Sequence, residues 1–120
     1  MKILGIGVDI IDNKRIKKSI KNHKFKDRIY SSKEQKLSSL SRNKVGYFSK
    51  RFAAKEACAK ALGTGLSHGV FWRDMGVVNA LSGKPSFELT GGAAIQLEKM
   101  LPEGHTAHIH LTITDDFPWA

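Results

Sequence analysis

Glu56 and Lys60 stand four residues apart in RFAAKEACAKALGTG, residues Arg51 to Gly65, with alanines at 53, 54, 57, 59 and 61 around them. At that spacing an acid and a base share one face of a helix. The plain reading is an exposed ion pair that stabilises by about 0.2–0.5 kcal/mol. The alanines open a second reading, because they leave little bulk to keep another backbone or a ligand away. The acid that can approach is Asp9, in LGIGVDII (Leu4 to Ile11). Two carboxylates brought together must share a proton or a cation. A hard divalent ion such as Mg²⁺ suits one or two carboxylates completed by substrate phosphate oxygens and water.

Other chemistry-bearing residues make weaker patterns. The GIG of Gly5 to Gly7 lacks the third glycine of a dinucleotide fingerprint. The GTG of Gly63 to Gly65 is followed by no Lys-Ser/Thr and reads as a helix cap and loop, although a loop opening at Gly63 just after Lys60 can touch phosphate. His108 and His110 share a strand face without a third ligand nearby, which makes them surface or interface histidines. Cys58, the lone cysteine, excludes an internal disulfide and reads as a small buried apolar residue.

The elements that must position these groups follow from periodicity. Residues 2–11 alternate Leu4, Ile6, Val8 and Ile10 with Gly5, Gly7 and Asp9, the pattern of a strand whose second face is nearly bare. Asp12 or Asn13 can cap a helix turning Ile16 and Ile20 inward; a short segment around Phe25 and Ile29 follows. Ser31 or Ser32 then starts a helix carrying Leu37 and Leu40. From about Asn43 a longer, central helix presents Val45, Phe48, Phe52, Lys55, Ala59 and Leu62 at three- and four-residue steps, stopping at Gly63 and Gly65. Residues 74–80, the turn Ser82-Gly83-Lys84-Pro85 and residues 85–89 make a hairpin. Thr90 can cap a helix with Ala94, Ile95, Leu97, Met100 and Leu101, ended by Pro102 and Gly104, and residues 107–114 alternate as a half-buried strand. The expected architecture is one α+β domain over residues 1–120, with a mostly antiparallel sheet around a long central helix.

Composition narrows the partners. The 120 residues carry 20 Lys plus Arg against 11 Asp plus Glu, a net charge of +9 that steers anions toward the surface. Lys14 to Arg28 concentrates this charge: Lys14, Arg15, Lys17, Lys18, Lys21, Lys24, Lys26 and Arg28 accompany a single acid, Asp27. Such a run is also what a solvated helical face looks like. No apolar run approaches the ~20 residues that span a bilayer, and the N-terminus lacks the order of a secretory signal, so a cytoplasmic protein without a membrane partner is expected.

GIGVDI at Gly5 to Ile10, KRFAAKEACAKALGTG at Lys50 to Gly65 and GKP at Gly83 to Pro85, in that order and spacing, resemble the bacterial holo-acyl-carrier-protein synthases of the 4′-phosphopantetheinyl transferase family. The resemblance covers essentially the whole chain and implies that family's fold. It implies transfer of 4′-phosphopantetheine from coenzyme A to a serine of apo acyl carrier protein, in fatty acid biosynthesis. By the same resemblance Asp9 and Glu56 match the Mg²⁺ ligands, and Lys60 lies beside the coenzyme A phosphates. Arg51 and Lys84 lie near the nucleotide and its 3′-phosphate, with Gly63 and Pro85 in the same binding set. Arg15, Lys18, Lys24 and Arg28 face the acidic carrier. A homotrimer with sites between subunits is implied as well. The family pattern continues past FPWA at Phe117 to Ala120 into another apolar strand, so a truncated C-terminal strand is expected. A carrier-binding subunit inactive through that truncation is the first alternative. The second, a basic nucleic-acid-binding module, lacks interleaved aromatics and any standard motif, so no nucleic acid is expected as partner.

Overall fold

The computed structural model describes residues 2–120. These form α1 (Asn13–Ser19), α2 (His23–Ile29), α3 (Ser32–Ser38), α4 (Lys44–Ala61), β1 (Met75–Asn79), β2 (Pro85–Leu89) and α5 (Gly91–Met100), an α+β arrangement. Local chemistry sets the boundaries. Asp12 caps α1 by accepting from the Lys14 amide at 2.9 Å, and Asn43 caps α4 by accepting from the Gly46 amide at 2.9 Å. Ser31 and Glu34 form a reciprocal capping box on α3. Helix α4 ends where Gly63 takes a φ of +79°, a left-handed conformation that glycine adopts without a Cβ clash, and donates its amide to the Lys60 carbonyl at 3.1 Å.

Both apolar clusters are built on α4. Its first half packs Tyr47, Phe48, Phe52 and Ala53 with Ile11, Ile16, Ile29 and Tyr30; its second half packs Cys58, Ala59 and Leu62 with Val70, Met75 and Ala93. The rings of Phe25, Phe52 and Trp72 stack in series, with centroids 6.3 and 4.9 Å apart. The hairpin pairs Met75 with Leu89 and Asn79 with Pro85, as the turn residues require. Among the described residues no helix is long and apolar enough to cross a membrane.

The remaining sheet differs from expectation. Residues 2–11 and 107–114, both expected as strands, are not strands among the described residues, and the sheet is the β1–β2 hairpin alone. A strand exists through hydrogen bonds to a neighbour. Residues 2–11 find one only at their end, where Ile11 and Ala120 exchange hydrogen bonds of 2.7 and 3.0 Å. The bare glycine face instead lies on α4: a Cβ at Gly5 would strike the Ala61 carbonyl, and one at Gly7 the Ala57 carbonyl. The alternating apolar face is left in solvent, with Ile6, Val8 and Ile10 at 85, 79 and 67% exposure.

Two helices also turn unexpected faces inward. Leu37 and Leu40 stand exposed, and α3 buries Glu34 and Ser38 instead, because the Glu34 carboxylate is needed by cations beneath it. In α5 the buried residue is Ala93 while Ile95 is exposed, and Thr90 precedes the helix without making a side-chain cap.

Candidate functional site

The close seating of Gly5 and Gly7 on α4 delivers the main chain of residue 8 and the side chain of Asp9 to Lys60. Lys60 Nζ donates to the Val8 carbonyl at 3.0 Å and to Asp9 Oδ1 at 3.1 Å. The ion pairs among the described residues are Lys60–Asp9, Lys55–Glu34 and Arg51–Glu34, so the surface pair Glu56–Lys60 that the spacing permits is not formed. Glu56 is half-buried beside them. Burial pushes its carboxyl above the usual glutamate range, the negative charge of Asp9 adds to the rise, and Lys60 and Arg15 oppose it. Two acids thus lie in one field. Their hard carboxylate oxygens are a donor set that fits a small divalent cation.

The sign of that shift has a consequence for stability. A carboxyl with a raised folded-state pKa costs stability once it ionises, and the cost vanishes when pH falls below the unfolded value of 4.5. Glu56→Gln is therefore expected to raise Tm at neutral pH, and the gain should close as pH is lowered through the acid range. Thermal unfolding of both proteins from about pH 8 down to about pH 4, the window that linkage sets, measures it.

Arg51 occupies the other side of α4. It is buried, its guanidinium lies 3.6 Å from the Tyr47 ring centroid, and Nη2 donates to Asn79 Oδ1 at 2.7 Å. Asn79 Nδ2 in turn donates to the Gly83 carbonyl at 3.0 Å, which ties the hairpin turn to Arg51. Together they border a cavity of about 280 Å³ lined also by Lys50, Pro85, Ile113 and Asp115. Of the residues expected here, Arg51 and Pro85 line the cavity. Lys84 is exposed on the adjoining turn and is not in the lining, and Gly63 belongs to the α4 cap.

Arg15 and Lys18 on α1, and Lys24 and Arg28 on α2, are all exposed. Arg15 reaches furthest toward the acids. Its guanidinium lies 5.5 Å from the Phe52 ring centroid and its charge is felt by Glu56. His108 and His110 are exposed, and Cys58 is buried with its thiol pushed up to about 11 by desolvation.

Sequence reasoning missed Tyr47, Asn79 and above all Glu34. The signal for Glu34 was present twice: a Ser31-x-x-Glu34 capping spacing, and Lys55 in the apolar stripe of α4, where a cation needs a buried acid. Lys55 is fully buried, with its ammonium pulled down by burial and restored in part by Glu34 at 2.8 Å.

The chain is similar to known proteins over nearly its whole length. Residues 5–114 match the 4′-phosphopantetheinyl transferase superfamily. A holo-[acyl-carrier-protein] synthase of Brucella ovis is 59% identical over 98% of this chain and 90% of its own. The crystal structure of the holo-[acyl-carrier-protein] synthase of Neisseria meningitidis superposes with a TM-score of 0.86 at 35% identity, covering 98% of this chain and 93% of that one. That of Helicobacter pylori, in complex with coenzyme A, gives 0.79 at 26% identity over 95% and 92% of the two chains. With Asp9 brought onto Lys60 and beside Glu56 of α4, and this likeness running almost end to end, the chain belongs to the 4′-phosphopantetheinyl transferase superfamily.

Proposed function

We propose that the chain is a cytoplasmic holo-acyl-carrier-protein synthase that transfers 4′-phosphopantetheine from coenzyme A to a serine of apo acyl carrier protein, releasing adenosine 3′,5′-bisphosphate. The observation that carries the reading is the meeting of Asp9 and Lys60 beside Glu56, two acids suited to a divalent cation and an ammonium suited to the pyrophosphate it would accompany. The serine oxygen bonds to the β-phosphorus as the bond from that phosphorus to the bridging oxygen breaks, and the electron pair leaves with the bisphosphate. Lys60 offsets the charge that grows on the departing phosphate. Asp9 and Glu56 would hold Mg²⁺, which when bound supplies charge neutralisation across the pyrophosphate. The serine proton passes to Glu56 or to a water beside it. Arg51 and Lys84 lie near the nucleotide and its 3′-phosphate, Pro85 belongs to the same binding set, and Gly63 opens the loop facing the pyrophosphate.

The active form in this reading is a homotrimer. Lys60 follows Arg51 by nine residues on α4, which at about 100° per residue sets the two on opposite sides of the helix. One chain then offers one end of a coenzyme A site from each side, and a cyclic arrangement brings complementary ends together. The exposed row Ile6, Val8 and Ile10 is the apolar surface that a neighbouring copy would cover.

The test is direct: apo carrier protein incubated with coenzyme A and Mg²⁺ should gain the mass of one phosphopantetheine, and no gain would refute the assignment. The exposed basic helices add a second expectation. Charge reversal at Arg28 should raise the carrier KM about tenfold, or about 1.4 kcal/mol, while leaving coenzyme A affinity nearly unchanged. Rising salt should weaken carrier binding in the same selective way. Steady-state kinetics with each substrate varied in turn reads both effects.

A further inference from the structure

Glu34 is 2% exposed, and both of its oxygens are engaged. Oε1 accepts from Lys55 Nζ at 2.8 Å and from the Ser31 amide at 2.9 Å. Oε2 accepts from the Val77 amide at 3.2 Å and lies 4.0 Å from Arg51 Nε. Its main-chain carbonyl accepts from the Tyr47 hydroxyl at 2.7 Å. Each support of Arg51 therefore refers back to this residue. Tyr47, on which the guanidinium stacks, is held by its hydroxyl. Asn79, which accepts from Nη2, follows by two residues the β1 amide that Glu34 grips. Arg51 Nε itself is buried without a hydrogen-bond acceptor, so the Glu34 carboxylate is the charge that compensates it.

We propose that Glu34 is a positioning residue for the transfer reaction: it fixes the Arg51 guanidinium at the cavity wall so that it meets the nucleotide phosphates of coenzyme A. The proposal rests on the assignment of Arg51 to the nucleotide. The competing explanation is structural, that Glu34 serves only to neutralise Lys55, whose Nζ also donates to the carbonyls of Trp72 and Met75 at 3.2 and 2.9 Å.

Removing both charges separates the two, because the double variant Glu34→Gln/Lys55→Met takes Lys55 out of the core together with its partner and leaves Arg51 as the one ion that has lost its counter-charge. If Glu34 positions Arg51, the folded variant keeps a kcat within about twofold of the parent, while its KM for coenzyme A rises about tenfold. Its KM for 3′-dephospho-coenzyme A should rise less, so the preference for the 3′-phosphate narrows. A parent-like KM for coenzyme A in the folded double variant would overturn the proposal. Should that variant not fold, Glu34→Asp takes its place. It keeps the charge for Lys55, withdraws it by one methylene from Arg51, and should again raise the coenzyme A KM, with an unchanged value overturning the proposal. Arg51→Gln, measured alongside, tells the two failures apart. If it raises the KM and the Glu34 variants do not, positioning alone fails; if it leaves the KM unchanged, the assignment of Arg51 to the nucleotide fails and the proposal with it.

Discussion

Asp9→Asn and Glu56→Gln are each expected to lower kcat by about 10²–10³-fold, the range seen when one preorganised electrostatic group is removed from a reacting centre. Carrier docking should survive, since Arg15, Lys18, Lys24 and Arg28 lie on α1 and α2 rather than in the acid pair. The substitutions are close to isosteric, and the side-chain amide oxygen that Asp9→Asn introduces can still accept from Lys60, so the local fold should persist while the negative charge is lost. The effect belongs in kcat because the charge being stabilised grows as the pyrophosphate bond breaks. Lys60→Ala should slow turnover in the same parameter. If Lys60–Asp9 were only a surface ion pair, breaking it would cost at most about 1 kcal/mol of stability and leave rates nearly unchanged. Asp9 argues against that view, because its side chain is 16% exposed and so partly withdrawn from screening. Kinetics of the folded variants at saturating Mg²⁺ decide, and near-normal turnover would sink the role given to this side of α4.

What could be read from the sequence was whatever a single chain determines locally. The length of α4, its Asn43 start and its glycine stop follow from apolar spacing and capping chemistry. The hairpin follows from its turn residues. The bare face of Gly5 and Gly7 was legible as an invitation to close approach, and the α4 backbone takes it up. Asp9, Glu56 and Lys60 were found together for this reason. That residues 2–11 and 107–114 would form no strand was not legible, because alternation specifies which face is apolar and says nothing about whether an edge is there to supply the hydrogen bonds. Glu34 was hidden for a different reason: its partners Lys55, Arg51 and Val77 are 21, 17 and 43 residues away, and only the tertiary fold brings them to one carboxylate. The inward turn of α3, which leaves Leu37 and Leu40 exposed, is the same fact seen from the helix.

The largest effect expected at the level of assembly is rescue of activity between two inactive chains. Asp9→Asn disables the side of α4 that carries Lys60 and Glu56; Arg51→Gln disables the side that carries Tyr47 and Asn79. If coenzyme A is bound by the first side of one subunit and the second side of its neighbour, co-expressing the two variants produces trimers in which some sites take both intact halves. At equal mixing the chance that one subunit supplies Asp9 and its neighbour supplies Arg51 is about one quarter, so roughly that share of the parent activity should return from proteins each nearly inert alone. A site built within one chain cannot be rescued, since every subunit then carries its own lesion. The control is a change within the apolar row, Ile6→Glu, which puts a charge where a covering neighbour needs an apolar surface and should shift the protein to monomers in sedimentation with activity lost. A fully active Ile6→Glu monomer, or co-expressed variants no more active than their sum, would show that one chain holds the complete site.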